Sequence, residues 1–215
     1  MPNWVTNKIC TSPEVIKAMV NAEGHVDFSL AAPFPGEFPW DTISLRAEEM
    51  AEIVAGVPLH QNPLIASLEA SNRSRAKLSD LHDEDFEQFI QMLRNHRKCG
   101  FLNQMDFARA TWGTKWNACD SSVSEDQSEA SFDTAWSCPK PVFQAVSQRF
   151  PDAEIRVTYA DEDLGSNCGT YTLRAGAVVQ SDIAPPWRDM TEQEQQRWTR
   201  FAREVKGWTA DEKDE

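Results

Sequence analysis

The chain has no apolar run near the roughly 20 residues that cross a bilayer, so a membrane-spanning helix is not expected. The opening Met1-Pro2-Asn3-Trp4 has no basic stretch and no apolar segment behind it, unlike a signal peptide. Its five cysteines, Cys10, Cys99, Cys119, Cys138 and Cys168, are widely spaced and form no Cys-x-x-Cys pair. Neither do the four histidines pair up, so the close ligand spacing of a structural zinc site is missing. Free thiols in a reducing compartment follow, and the expected location is the cytoplasm. No Gly-x-Ser-x-Gly, phosphate-binding Gly-rich loop or dinucleotide fingerprint occurs, which leaves no reaction indicated by motif. There is also no basic half. The net charge is −5 over residues 1–100, −2 over 101–150 and −6 over 151–215. Its longest basic runs, Arg73-Ser-Arg75-Ala-Lys77 and Arg94-Asn-His-Arg97-Lys98, are short. Direct nucleic-acid binding, which needs cations to displace phosphate counterions, is therefore not expected.

What remains is a 215-residue chain with 21 Lys+Arg against 34 Asp+Glu, a net charge of −13. That length buries a core without disulfide or metal staples. Trp4 to Thr11 reads as a strand, and Ser12-Pro13 as the start of a helix carrying Val15, Ile16, Met19 and Val20. Alternating Val26, Phe28 and Leu30 suggest a second strand over 25–30. Residues 1–41 then form a strand-helix-strand part able to join a larger sheet. Pro33 to Trp40 reads as loop. Residues 42–111 read as a helical insertion. Thr42 would cap its first helix, Asn62-Pro63 would restart a short one with Leu64, Ile65 and Leu68, and Asp83 to Cys99 is the clearest. There Phe86, Phe89, Ile90 and Leu93 share a face, acids fill the first turn, bases the last, and Gly100 stops the helix.

After residue 111 the period changes to two. Ala130 to Trp136, Ile155 to Tyr159, Tyr171 to Leu173 and Ala177 to Gln180 read as strands, and Val142, Phe143 and Val146 as a helix between the first two. The core expected here comprises Phe132, Trp136, Ile155, Val157, Tyr171 and Leu173. Residues 182–215 are a linker, a helix opened by the capping box Thr191-Glu-Gln-Glu194, and an acidic tail over 211–215. This order gives an α+β fold over 112–181, with an antiparallel sheet and helices on one face.

Three segments carry a resemblance. They are Met1-Pro2-Asn3-Trp4 with Asn7, Trp112-Gly-Thr-Lys115-Trp116-Asn117-Ala118, and Phe132-Asp-Thr134-Ala135-Trp136-Ser137 through Pro139, Pro141 and Phe150-Pro151 to Tyr159-Ala-Asp161-Glu162. Together they resemble the YubB-like family of phage and plasmid proteins, whose C-terminal part is described as ferredoxin-like. The resemblance runs over 112–175 and again at 1–10. Family members usually carry Cys where this chain has Val5, and Pro where it has Cys138. The family brings no established activity, cofactor or catalytic set, so the resemblance implies a ferredoxin-like fold and a mobile-element origin.

Two places suggest function. Lys115 and Trp116 could meet an anion or a base, although the two tryptophans of that run equally suit a core seal. Asp161, Glu162 and Asp163, at a strand end beside Tyr159, lack the spaced oxygens of a calcium loop and are expected to form a docking patch. No cofactor is expected. The reading is a non-catalytic, acidic accessory protein of a phage or plasmid that binds a host protein with a basic surface, for instance a defence nuclease or a DNA-binding complex that it inhibits. The alternative is a Mg²⁺-dependent enzyme on nucleotides or nucleic acid that uses Asp161 or Asp163.

Overall fold

The computed structural model describes residues 2–209; the acidic run 211–215 lies outside them. In chain order the elements are β1 (Trp4–Cys10), α1 (Pro13–Lys17), α2 (Leu45–Ala55), α3 (Pro63–Arg75), α4 (Asp83–Cys99), α5 (Gln104–Phe107), β2 (Cys119–Val123), β3 (Glu129–Ala135), α6 (Lys140–Arg149), β4 (Ile155–Asp161), β5 (Gly169–Arg174), β6 (Ala177–Ile183) and α7 (Glu192–Lys206). They form two compact units. One comprises residues 1–33 and 108–215, the other residues 34–107.

The first unit is a six-stranded sheet in the order β2-β3-β1-β4-β5-β6, antiparallel throughout. β1 is central, so the N-terminal strand joins the main sheet. It lies between β3 and β4, antiparallel to both. The β3-α6-β4 connection therefore crosses over β1 and makes the split β-α-β unit of a ferredoxin-like sheet. Period-two alternation sends Val5 and Ile9 of β1, Phe132 of β3, Val157 of β4 and Tyr171 and Leu173 of β5 into one buried layer. Phe143 of α6 meets Phe132 there at 6.1 Å, and Phe28 meets both Phe132 and Trp112 edge-on at 5.7 Å. α7 covers the opposite face over Ala160, where Trp198, Ala202 and Val205 are buried with Cys168 and Met190. Its capping box, Thr191 with Glu194, forms as expected. Lys206 near its end donates to the Trp4 carbonyl at 3.0 Å and to Thr6 Oγ1 at 3.2 Å.

Three sequence expectations fail in this unit, the first being that α1 ends at Lys17, so Met19 and Val20 lie beyond it. Residues 25–30 are not a strand. Val26 makes one isolated bridge to Val20, and Phe28–Leu30 is a 3-10 turn. The cause is that side chains take the backbone donors: the Asp27 side chain accepts from the Ser29 N–H at 2.9 Å and the distant Asn117 side chain takes the Phe28 N–H at 2.9 Å. Nor does Trp136 enter the core. The strand stops at Ala135 and the indole turns outward.

The second unit packs Ala47, Met50 and Ala51 of α2 against Phe89 and Met92 of α4, with Leu102 closing the cluster. It starts at Phe34, earlier than the sequence reading placed it. The cap of α2 is Ser44 rather than Thr42, because the Ser44 side chain accepts from the Ala47 N–H. On α4 the buried residues are Gln88, Phe89, Met92 and Asn95, so the inward face is rotated from the expected one and Phe86 is exposed. Gln88 and Asn95 serve there as fasteners. Gln88 takes the Ser44 N–H at 2.8 Å, and Asn95 spans the Glu37 backbone and the Leu102 carbonyl.

Candidate functional site

At the end of the sheet where β1 begins and β3 and β4 finish, four segments come together. Asp161 closes β4. Its inward place follows from extending the alternation of Ile155, Val157 and Tyr159 by one more step. The carboxylate is 5% exposed. Oδ1 accepts from Asn3 Nδ2 at 3.2 Å and from the Asp163 N–H at 3.0 Å, and Oδ2 accepts from Asn167 Nδ2 at 2.8 Å. Asn167 also donates to the Trp136 carbonyl at 3.2 Å, and the Trp136 N–H donates to the Asn3 carbonyl at 2.9 Å. Next to it, Glu162 Oε2 accepts the Trp4 N–H at 3.0 Å.

The loop 113–117 is fastened to the same end. Thr114 Oγ1 donates to the Ala135 carbonyl at 2.8 Å, and the Ser137 hydroxyl donates to the Gly113 carbonyl. Gly113 sits at φ +75°, and a Cβ there would meet the Pro141 ring at 3.0 Å, so this tight approach requires glycine. Asn117 is held by Asp27 at 2.8 Å. Trp112 is buried, with its indole N–H on the Ala32 carbonyl at 2.9 Å. Most of this unusual run is therefore structural, which leaves half-buried Lys115 and exposed Trp116.

Trp116 is 38% exposed and packs on Trp4 at 6.0 Å, while Lys115 Nζ stands 4.7 Å from its ring centre. Trp136 is 54% exposed and has φ +70°. That left-handed conformation is uncommon for any residue with a side chain, and for a bulky one it is strained. Trp4, Trp116 and Trp136 all belong to this end of the sheet, its tryptophan rim, where Trp4 packs on Trp116 and the Trp136 N–H reaches the Asn3 carbonyl, and buried Asp161 is followed there by Glu162 and exposed Asp163.

The expected docking patch changes accordingly. Asp161 is buried and fastened by three donors, so its carboxylate faces the interior and not solvent. Tyr159 is 8% exposed, stacks edge-on with Tyr171 at 6.1 Å, and burial pushes its hydroxyl pKa up. Of the six residues picked from sequence, Lys115, Trp116, Glu162 and Asp163 lie at this end of the sheet, and the sequence reading did not include Trp4 and Trp136, which lie there too. Trp4 lies at a strand start in both readings. Trp136 has the parity of Phe132 and Thr134, so alternation misdirects it, and only the backbone turn reveals it.

Burial pushes the Cys138 thiol, 3.3 Å from the Tyr171 hydroxyl, up to about 12. Burial, with a contribution from the Asp161 charge, does the same for Cys168, also to about 12. Both thiols are protonated at neutral pH and are poor nucleophiles. Both Asp161 oxygens are engaged by amides. Among the described residues, no three His, Cys, Asp or Glu side chains gather in a way that could hold a metal ion. No helix of the described residues is long and apolar enough to cross a membrane.

Residues 111–201 match the family model described as the ferredoxin-like domain in Api92-like protein. That stretch is similar to the Api92-type ferredoxin-like domain. It spans the same C-terminal part that carries the sequence resemblance, and the six-stranded α+β architecture agrees with the description. The crystal structure of protein Api92 from Yersinia pseudotuberculosis aligns at 12% identity and a TM-score of 0.39, covering 87% of this chain and 100% of that one. No curated protein matches the sequence.

Proposed function

We propose that the chain is a non-catalytic accessory protein, of phage or plasmid origin, that binds a host protein with a basic surface in the bacterial cytoplasm. The rim of Trp4, Trp116 and Trp136 is the contact. Inhibition of a defence nuclease or of a DNA-binding complex is the concrete form of this reading. One observation carries it. Trp136 holds half its surface in solvent while its backbone sits at φ +70°. Such a conformation costs about 1–2 kcal/mol, and an indole left in water recovers little of it through burial. An exposed aromatic anchor is the type of residue that dominates binding energy at interfaces. Lys115 over Trp116 shows that this ring can take a cation on its face. The net charge of −13 favours a basic partner.

The test is capture from bacterial lysate at low salt by the immobilised chain, with Trp116→Ala and Trp136→Gly run in parallel. The expected result is one host protein, identified by mass spectrometry, held by the wild type and lost from both variants. Equal capture by the variants, or none by the wild type, overturns the reading.

A further inference from the structure

The part of the sheet face beyond α7 is open, and the strand registers fix what it presents. Directly paired residues share a face. The pairs Ser122 with Ser131, Ser131 with Lys8, Lys8 with Thr158 and Thr158 with Thr170 join into a single row across five strands. Four hydroxyls therefore flank one ammonium. In the adjacent row Arg156 lies between Cys10 and Thr172, and Glu129 lies on the far side of Cys10. Strands are spaced about 4.8 Å apart, so Lys8 and Arg156, diagonal neighbours on β1 and β4, reach one small ligand together. They line a concavity of about 590 Å³ with Cys10, Ser122, Ser131 and Thr158.

Neither cation is neutralised. Both are exposed, and among the described residues neither has an ion pair or a hydrogen bond. Like charges at neighbouring sheet positions repel, and hydroxyl or thiol residues, never carboxylates, stand directly opposite both of them. In a chain of net charge −13 this is a local inversion of sign on the central strands.

We propose that this concavity binds a small phosphomonoester. Lys8 and Arg156 contact the phosphate, and the Ser131 and Thr158 hydroxyls donate to its remaining oxygens. Two cations match the charge of about −2 on such a group at neutral pH, and the guanidinium suits its paired oxygens. A long polyanion fits less well. Glu129, Glu154 and Asp182 border this part of the face, whereas each further phosphate needs a further cation. The proposal stands independently of the tryptophan rim.

Titration of the ¹⁵N-labelled protein with inorganic phosphate and then pyrophosphate tests it. The expected result is saturable amide shifts at Lys8, Ser131, Arg156 and Thr158, with inorganic phosphate bound at least as tightly as pyrophosphate. Lys8→Gln and Arg156→Gln each weaken binding about tenfold or more, Glu129→Gln tightens it, and Lys17→Gln on α1 changes nothing. Unaltered spectra elsewhere establish that each variant is folded. No saturation up to about 20 mM, which corresponds to less than about 2.3 kcal/mol of binding, overturns the proposal. So do shifts of equal size at Lys17 and Arg94. A short oligothymidylate binding more tightly than pyrophosphate overturns the small-ligand assignment.

Discussion

Asp161 shows how much one carboxylate can organise. Three donors converge on it from Asn3, Asp163 and Asn167, and nine-tenths of it is out of water. Removing it would leave those amides unsatisfied, and a lost charge-assisted network of this kind costs about 2–4 kcal/mol. Asp161→Ala should lower the urea midpoint accordingly, while Asp163→Ala, whose side chain is exposed, should stay within about 0.5 kcal/mol of wild type. Equal effects of the two would remove the structural role. Trp136→Gly should do the opposite. Glycine adopts φ +70° without a Cβ clash, so stability should hold or rise by up to about 1 kcal/mol as the anchor is lost. Asp27 adds a pH dependence. Burial pushes its pKa up, but hydrogen bonds from Ser29 and Asn117 outweigh this and hold it below the ordinary carboxylate value. A lowered folded pKa stabilises above the unfolded value and is lost as pH falls through the folded one. The stability gap between wild type and Asp27→Asn should therefore be open at pH 7 and close as pH falls below about 4. Legibility at this scale depended on parity. Period two already assigns Asp161 the inward side of β4, but the acidic run disguised it as surface. The same rule misplaces Trp136, because alternation ends where the backbone turns.

Among the elements, α3 differs from its neighbours in burying no side chain. Leu64 and Leu68 are exposed on it. What holds it is polar. Asn62 caps the Leu64 N–H at 3.0 Å, Pro63 starts the first turn, and Arg73 reaches Glu52 at 3.0 Å and the Val57 carbonyl at 2.6 Å. A helix of this length has little stability of its own. Hydrogen exchange should therefore be faster along α3 than along α4, and Arg73→Ala should accelerate it further. Leu64→Gln with Leu68→Gln should leave the thermal midpoint unchanged within about 1 °C. If the leucine pair proves destabilising and Arg73→Ala does not, the polar account of α3 fails. Elements whose ends carry their own chemistry were legible. These include α4 with its acidic start and Gly100, α7 with its capping box, and α6 between Pro139 and Phe150. The central place of β1 was not, because its partners lie more than a hundred residues away and pairing across such a distance leaves no local trace. The length of α3 was also hidden, since its apolar positions never face a core.

At the scale of the whole molecule, net charge and the tryptophan rim would act on different steps of the proposed association. A charge of −13 speeds encounter with a cationic partner over distances comparable to the screening length, about 8 Å at physiological salt and shorter as salt rises. Indoles act only at contact, after water has left, and so govern how long the complex lasts. The two contributions should separate in the kinetics with the captured partner. Trp136→Gly should raise the dissociation rate at least tenfold and leave the salt dependence of the association rate as in the wild type. Asp163→Lys, at the edge of the rim, should slow association about two- to threefold at low salt, with a dissociation rate close to that of the wild type. Surface plasmon resonance at low and at raised sodium chloride measures both rates. A Trp136→Gly complex that forms slowly yet dissociates at the wild-type rate would mean that the indole steers and does not anchor. The strained backbone at Trp136 would then need another cause.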